Sequence, residues 1–383
     1  MTKNLYFYSI FGFFCLFIQA LSVAEPWSER LYINGFYTID FTYSDNDIGL
    51  VSNSHRPRSY DNESAGLENS VFGGQIELEI NDNLSSFVQG KLFYGSRDNA
   101  SSKIDWAYLS YDFGDDTRVR GGLFQIPFLQ GTELRNIGYS RIWARPLIPE
   151  DGASGFNEYV GVEYLKSVYT GDSHWDFQAA LGEVKHEDDL VESRNIELVT
   201  ARYQYKNFWL RSAFIHGEYA VNDSDGERLA FSGNAFLASI EAELAYSWLI
   251  INGGYGLGDT DITPNSAIYY LSVAFPFGHF IPYFYTSKRN LDIEQVQAPP
   301  PVPPAGGNQP PELAPLPPLD DGLPKVGDYD VYSLALGARW HLTERFGLKF
   351  QWENIEQDNT ANYQGHAPTN NGNTISILFE GVF

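Results

Sequence analysis

LYINGFYTIDFTY, residues 31–43, separates into two columns. Leu31, Ile33, Gly35, Tyr37, Ile39, Phe41 and Tyr43 make one; Tyr32, Asn34, Phe36, Thr38, Asp40 and Thr42 make the other. Successive side chains of a strand point to opposite faces, so this alternation predicts a strand with one apolar and one mixed face. A helix would need apolar residues three and four apart. The same columns return along the chain. Phe72, Gly74, Ile76, Leu78 and Ile80 alternate with Gly73, Gln75, Glu77 and Glu79; Phe346, Leu348, Phe350 and Trp352 alternate with Gly347, Lys349, Gln351 and Glu353. The final stretch sets Ile375, Ile377, Phe379, Gly381 and Phe383 against Ser376, Leu378, Glu380 and Val382.

A soluble sandwich also alternates. Three features point to a membrane instead. The strands run to about ten residues or more, the length that crosses a bilayer at a tilt. Aromatics gather near strand ends, as an interfacial girdle requires: Tyr43, Tyr94, Trp106, Tyr205, Trp248, Tyr269, Trp340 and Trp352. Connections alternate long and short. Long or polar ones cover 44–67, 96–102, 126–156, 184–194, 218–230, 259–265, 289–328 and 357–372; short turns lie at 81–83, 114–116, 167–173, 206–207, 247, 275–278 and 343–344. Eight long and seven short connections join sixteen strands. The fold expected is all-β, a transmembrane antiparallel up-and-down β-barrel of about sixteen strands, with short periplasmic turns and long extracellular loops.

Composition agrees. Of 383 residues, 16% are aromatic, with 35 Gly, one Met and one Cys, a balance suited to strands rather than helix bundles. With 25 Lys+Arg against 49 Asp+Glu the formal charge is −24, which excludes nucleic acid as a partner. The single cysteine, Cys15, excludes an internal disulfide and cysteine-ligated metals. It sits in residues 1–24, where Lys3, the apolar run Leu5–Ile18 and Ser22-Val23-Ala24 read as a secretory signal peptide cut after Ala24. Its removal would leave residues 25–383 as the barrel, with a charge of −25. No later run approaches eighteen apolar residues, so no transmembrane helix is expected.

Catalytic patterns are missing. His55, His174, His186, His216, His279, His341 and His366 form no close pair and no His-Glu-x-x-His, and no Gly-x-Ser-x-Gly occurs. Neither an enzyme nor a cofactor or metal is expected. Residues 298–324 hold eleven of the twenty prolines and cannot form strand, so the connection 289–328 reads as an extended external loop.

The closing strand, residues 375–383 ending on Phe383, resembles the C-terminal assembly signal of bacterial outer-membrane proteins. The mature chain as a whole resembles the sixteen-stranded porins of Gram-negative bacteria. Within it, Trp106–Tyr111, the strand to Gln125 and Ile126-Pro127-Phe128 resemble the region before the third loop in the phosphate-selective and DcaP-like branches. The resemblance implies a homotrimer in the outer membrane, contacts with lipid and lipopolysaccharide, delivery by the barrel-assembly machinery through Phe383, and passive diffusion of small hydrophilic solutes. It also implies that the third long loop, 126–156, folds inward as a constriction.

That loop carries Glu133, Arg135, Tyr139, Arg141 and Arg145, a high density of arginine for so acidic a chain. Arg118 and Arg120 share the mixed face of the strand before it, and parity places Lys91, Arg202, Arg211, Arg339 and Lys349 in the lumen. Glu77, Glu79, Glu163, Glu241 and Glu243 have the same parity. Two expectations follow. Either the arginines make a locally basic gate that favours small anions, or they pair with Glu133, Glu150, Glu158 and wall carboxylates to hold the loop. The inward aromatics Phe36, Trp106, Tyr108 and Phe124 raise a further possibility, a stacking surface for sugars.

Overall fold

The computed structural model describes residues 29–45, 48–53, 56–60, 65–66, 70–94, 100–134, 137–144, 158–185, 191–222, 229–260, 265–292, 329–359 and 371–383. The expected signal peptide, most of the proline-rich connection, Arg135 and Arg145 lie outside these residues.

Alternating sequence becomes strand throughout. The elements are β1 (Leu31–Ser44), β2 (Ile48–Asn53), β3 (Arg56–Tyr60), β4 (Ala65–Gly66), β5 (Val71–Glu79), β6 (Leu84–Tyr94), β7 (Ala100–Gly114), β8 (Thr117–Gln125), β9 (Glu158–Thr170) and β10 (Ser173–Lys185). There follow β11 (Val191–Tyr205), β12 (Phe208–Asn222), β13 (Leu229–Tyr246), β14 (Leu249–Thr260), β15 (Asn265–Ala274), β16 (Phe280–Asp292), β17 (Tyr329–His341), β18 (Phe346–Asn359) and β19 (Asn371–Val382).

Each wall strand from β5 to β19 pairs antiparallel with the next. β4 and β5 both pair with β1 and share one position in the wall, while β2 and β3 pair only with each other in the first long connection. The ring closes where β1 meets β19, from Phe36↔Val382 to Ser44↔Thr374. The result is a closed barrel of sixteen strands. Closure satisfies the backbone N–H and C=O groups of every wall strand, which a sheet surrounded by lipid requires.

The short turns fall near the expected positions. Lys206-Asn207 and Ser247-Trp248 are two-residue links, and the β9–β10 turn is Gly171-Asp172 because both strands run further than the sequence suggested. Gly114, Asp115 and Asp116 take φ of 76°, 51° and 56° in succession. Gly and Asp tolerate that left-handed backbone better than branched residues, which is why this hairpin turns here.

Parity holds as well. Phe41, Leu109, Val162, Leu181, Phe214, Leu336 and Ile375 project outward and are exposed, whereas Thr38, Asp40, Gln178, Thr200, Glu241 and Gln351 are turned inward and buried. Trp106, read both as a girdle residue and as an inward aromatic, lies on the inner side, packed edge-on against Tyr108 and Phe124. A bulge opposite Gln89 and Gly90 adds Asp105 to β7, and Asp105 is buried.

Candidate functional site

The connection after β8 turns into the barrel. Residues 126–129 lead into a short helix, α1 (Gln130–Leu134), and residues 138–140 form one 3-10 turn. Ile126, Phe128 and Leu129 are buried against Ile215, Leu237 and Ile268, apolar residues on the inner faces of β12, β13 and β15. Burying each such side chain stabilises by about 2 kcal/mol. The ring of Phe128 rests on Gly256, where any side chain would collide with it.

Polar contacts complete this first attachment. Arg211 on β12 donates to the Pro127 carbonyl at 2.7 Å, pairs with Glu241 at 3.2 Å and lies 3.8 Å from Glu133. The Ser239 hydroxyl donates to the Phe128 carbonyl, and the Thr132 hydroxyl, inside the helix, has the Leu129 and Ile126 carbonyls at 2.6 Å and 2.9 Å between which to share its one proton.

The second attachment is made by two cations. Arg339 and Lys349 lie directly opposite each other on β17 and β18. Like charges so placed repel. Here Lys349 pairs with Glu380 at 2.7 Å and donates to the Gly138 and Trp143 carbonyls at 2.8 Å and 3.0 Å. Arg339 donates to the Arg141 and Tyr139 carbonyls, both at 2.8 Å, and lies 4.5 Å from the centre of the Tyr139 ring. Four loop carbonyls and one carboxylate thus face the pair, and the loop is drawn onto the wall. Tyr139 donates its hydroxyl to the Glu344 carbonyl at 2.6 Å, and the Ala144 N–H reaches Gln351 and the Tyr283 hydroxyl at 3.0 Å and 3.1 Å.

The other expected lining residues spread around the wall. Arg120 pairs with Glu163, which also accepts from Tyr159 and Gln178. Lys91 pairs with Asp105 at 3.0 Å, both fully enclosed. Arg202 sits opposite Arg211 and lies over Trp209, 5.2 Å from its ring centre. Arg118 stays at the short-turn end, exposed, 3.3 Å from Asp112. Arg141 is buried within the docked segment, so of the loop residues singled out Glu133, Tyr139 and Arg141 come together with Arg211, Arg339 and Lys349.

The inward aromatics spend their faces on one another. Phe87, Tyr108, Phe124 and Tyr159 form a row across β6–β9 with centroid spacings of 5.1, 5.4 and 5.5 Å, and Arg120 lies over Tyr108 and Phe124. Phe36 covers Gly73. Parity reasoning passed over Asp105, Ser239, Tyr283 and Glu380. Glu380 was visible in the inward column of the last strand; Asp105 was hidden by the bulge.

No family model and no curated protein sequence matches the chain. Solved structures do. OmpT, an outer membrane protein of Vibrio cholerae, in a form lacking loop L8, superposes with a TM-score of 0.59 at 9% identity, over 92% of this chain and 99% of that one. An anion-selective porin from Comamonas acidovorans gives 0.58 at 12% identity over 92% and 99%. The outer membrane channel DcaP of Acinetobacter baumannii gives 0.57 at 10% identity over 92% and 97%. At such identities the likeness concerns the fold. The chain folds as the closed sixteen-stranded barrel of the outer-membrane porins.

Proposed function

We propose that the protein is an outer-membrane porin through which small hydrophilic solutes diffuse passively, and that it is not an enzyme. The docking of residues 126–134 and 137–144 on the inner wall carries this reading. A sixteen-stranded barrel is too wide for wall side chains alone to fill, and a loop fastened inside narrows the lumen without a separate plug domain. Export by a cleaved signal peptide, residence in the outer membrane among lipid and lipopolysaccharide, assembly through Phe383 and a homotrimeric state belong to the same proposal. The solved Vibrio cholerae OmpT trimer, a barrel of the same fold, supports the last.

On charge, we infer a weak preference for anions. Lys91, Arg120, Arg211 and Lys349 each face a carboxylate, which offsets their field. Arg339 instead donates to carbonyls, and Arg135 and Arg145 belong to the same loop. A barrel closed to solute, serving as a structural element or adhesin, is the competing reading, and the apolar cluster beneath residues 126–129 favours it.

Planar-bilayer recording of the mature protein tests both. Stepwise conductance with a reversal potential shifted slightly towards chloride is the expected result. Folded protein without conductance would leave the closed barrel, and turnover of lipid or peptide would reinstate an enzyme.

A further inference from the structure

Cationic side chains face each other across neighbouring strands at Lys91 and Lys103, at Arg339 and Lys349, and at Arg202 and Arg211. Such pairs repel unless both members are matched. Lys91 and Lys103 meet Asp105 and Glu158, each at 3.0 Å. Lys349 meets Glu380, and Arg339 donates to two loop carbonyls. The third pair is matched on one side only. Arg211 pairs with Glu241 and donates to the Pro127 carbonyl. Arg202 makes neither an ion pair nor a hydrogen bond among the described residues, and its Nε is buried without a partner.

The carboxylates nearest in register are turned elsewhere. Asp176, the neighbour of Arg202 on β10, accepts from the Ser167 hydroxyl at 2.6 Å and lies 3.4 Å from His174. Glu243 accepts from the Trp209 indole N–H at 3.0 Å. That bond fixes the edge of Trp209, while its ring backs the guanidinium of Arg202, whose central carbon lies 5.2 Å from the ring centre. Arg202 is half-buried on the inner face of β11, and only its Nε is closed off, so Nη1 and Nη2 are reached from the barrel interior. Buried donors are rarely left unmatched. Water would match the N–H group but not the charge; an anion matches both. The N–H fork of a guanidinium takes two oxygens of one carboxylate, phosphate or sulfate group at once.

We propose that Arg202, backed by Trp209, is a subsite for one small oxyanion at the edge of the first loop attachment. The bound anion completes the pair with Arg211 as Glu158 completes that of Lys91 and Lys103. Binding does not require passage, but the part it plays in favouring anions rests on the porin reading.

Crystals of the mature protein grown with sodium selenate, sodium 4-bromobenzoate or sodium bromide provide the test. An anomalous peak at Arg202 is expected with selenate, with 4-bromobenzoate or with both, which also tells a tetrahedral oxyanion from a carboxylate. The peak should be lost in Arg202→Gln and weakened in Arg202→Lys, which keeps the charge without the fork. Arg202→Gln breaks no ion pair and removes one of two facing cations, so the variant should fold. A peak with bromide alone, a peak that survives Arg202→Gln, or no peak with Asp176 paired to Arg202 would overturn the proposal. In solution, selenate should raise the thermal unfolding temperature of the parent more than that of Arg202→Gln at equal ionic strength. Equal rises would mean binding at crystal concentration only and would also overturn it. Bilayer conductance is recorded separately: a conducting barrel without the peak sinks this inference and leaves the porin reading, and a peak in a non-conducting barrel does the reverse.

Discussion

Lys349 and Glu380 meet at 2.7 Å between β18 and β19 with both side chains fully enclosed, and Gly138 of the inner loop lies against them. The pair joins two tasks. It closes the charge balance of the wall beside Arg339, and it presents an ammonium group to the Gly138 and Trp143 carbonyls. Breaking it should therefore affect both barrel stability and the lumen.

Lys349→Met leaves Glu380 buried and without its cation. Removal of one member of such a pair costs about 3–5 kcal/mol. Unfolding in urea should show a loss of that order, and adding Glu380→Gln should recover part of it. Equal losses in the single and double variants would refute the coupling.

Gly138→Ala tests the loop without removing a charge. A Cβ at this position would overlap the Glu380 carboxylate and the Thr38 hydroxyl, so the loop must shift. Single-channel conductance should change while urea unfolding changes little. An unaltered conductance would mean that the docked segment does not set the passage.

Arg339→Gln removes the cation that donates to two loop carbonyls without a carboxylate of its own. The reversal potential in a KCl gradient should move towards potassium, and Arg120→Gln, which leaves Glu163 unbalanced, should move it the same way. No shift in either would exclude an electrostatic contribution from these arginines.

At the seam between β1 and β19, Asp45 accepts from the Asn373 backbone N–H at 2.7 Å and its amide at 2.8 Å. These bonds hold the Asp45 carboxyl below its ordinary value. A depressed carboxyl pKa stabilises the fold above the unfolded-state value, and that contribution fades as pH falls through the folded-state value. Unfolding followed from neutral to acidic pH should show a smaller acid-side decline in Asp45→Ala than in the parent.

Phe383 exchanges backbone hydrogen bonds with Gly35 at 2.8 and 2.9 Å and lays its ring on that glycine. Deleting Phe383 should lower the amount of assembled barrel in cells more than the yield of refolding in detergent. Equal losses would assign Phe383 to packing alone.

Much of this site was legible before any coordinates. Arg202 and Arg211 stand equally far from Lys206-Asn207, so hairpin register alone places them face to face; Arg339 and Lys349 stand four and five residues from the Thr343–Glu344 turn, and the β17–β18 register pairs them too. What the pairs do was not legible. Arg339 and Lys349 turn to loop carbonyls, whereas Arg211 turns to Glu241 and Arg202 to Trp209, because the carboxylates and the loop arrive from other strands. Asp105 escaped because it is the inserted residue of a bulge, and nothing in a local pattern announces a bulge.

The alternation of residues 31–43 and its repeats were enough to establish strands, their two faces, their number and the sorting of long and short connections. These depend on neighbours in the chain and on a side-chain period of two. Where residues 126–134 and 137–144 lie, which carboxylate meets which cation, and why the inner faces of β11–β15 carry Ile196, Leu198, Ile215, Leu237 and Ile268 were decided only by the closed barrel. Closure brings β8, β12 and β18 around one interior, and the energies of buried charge and packed apolar surface depend on such distant neighbours.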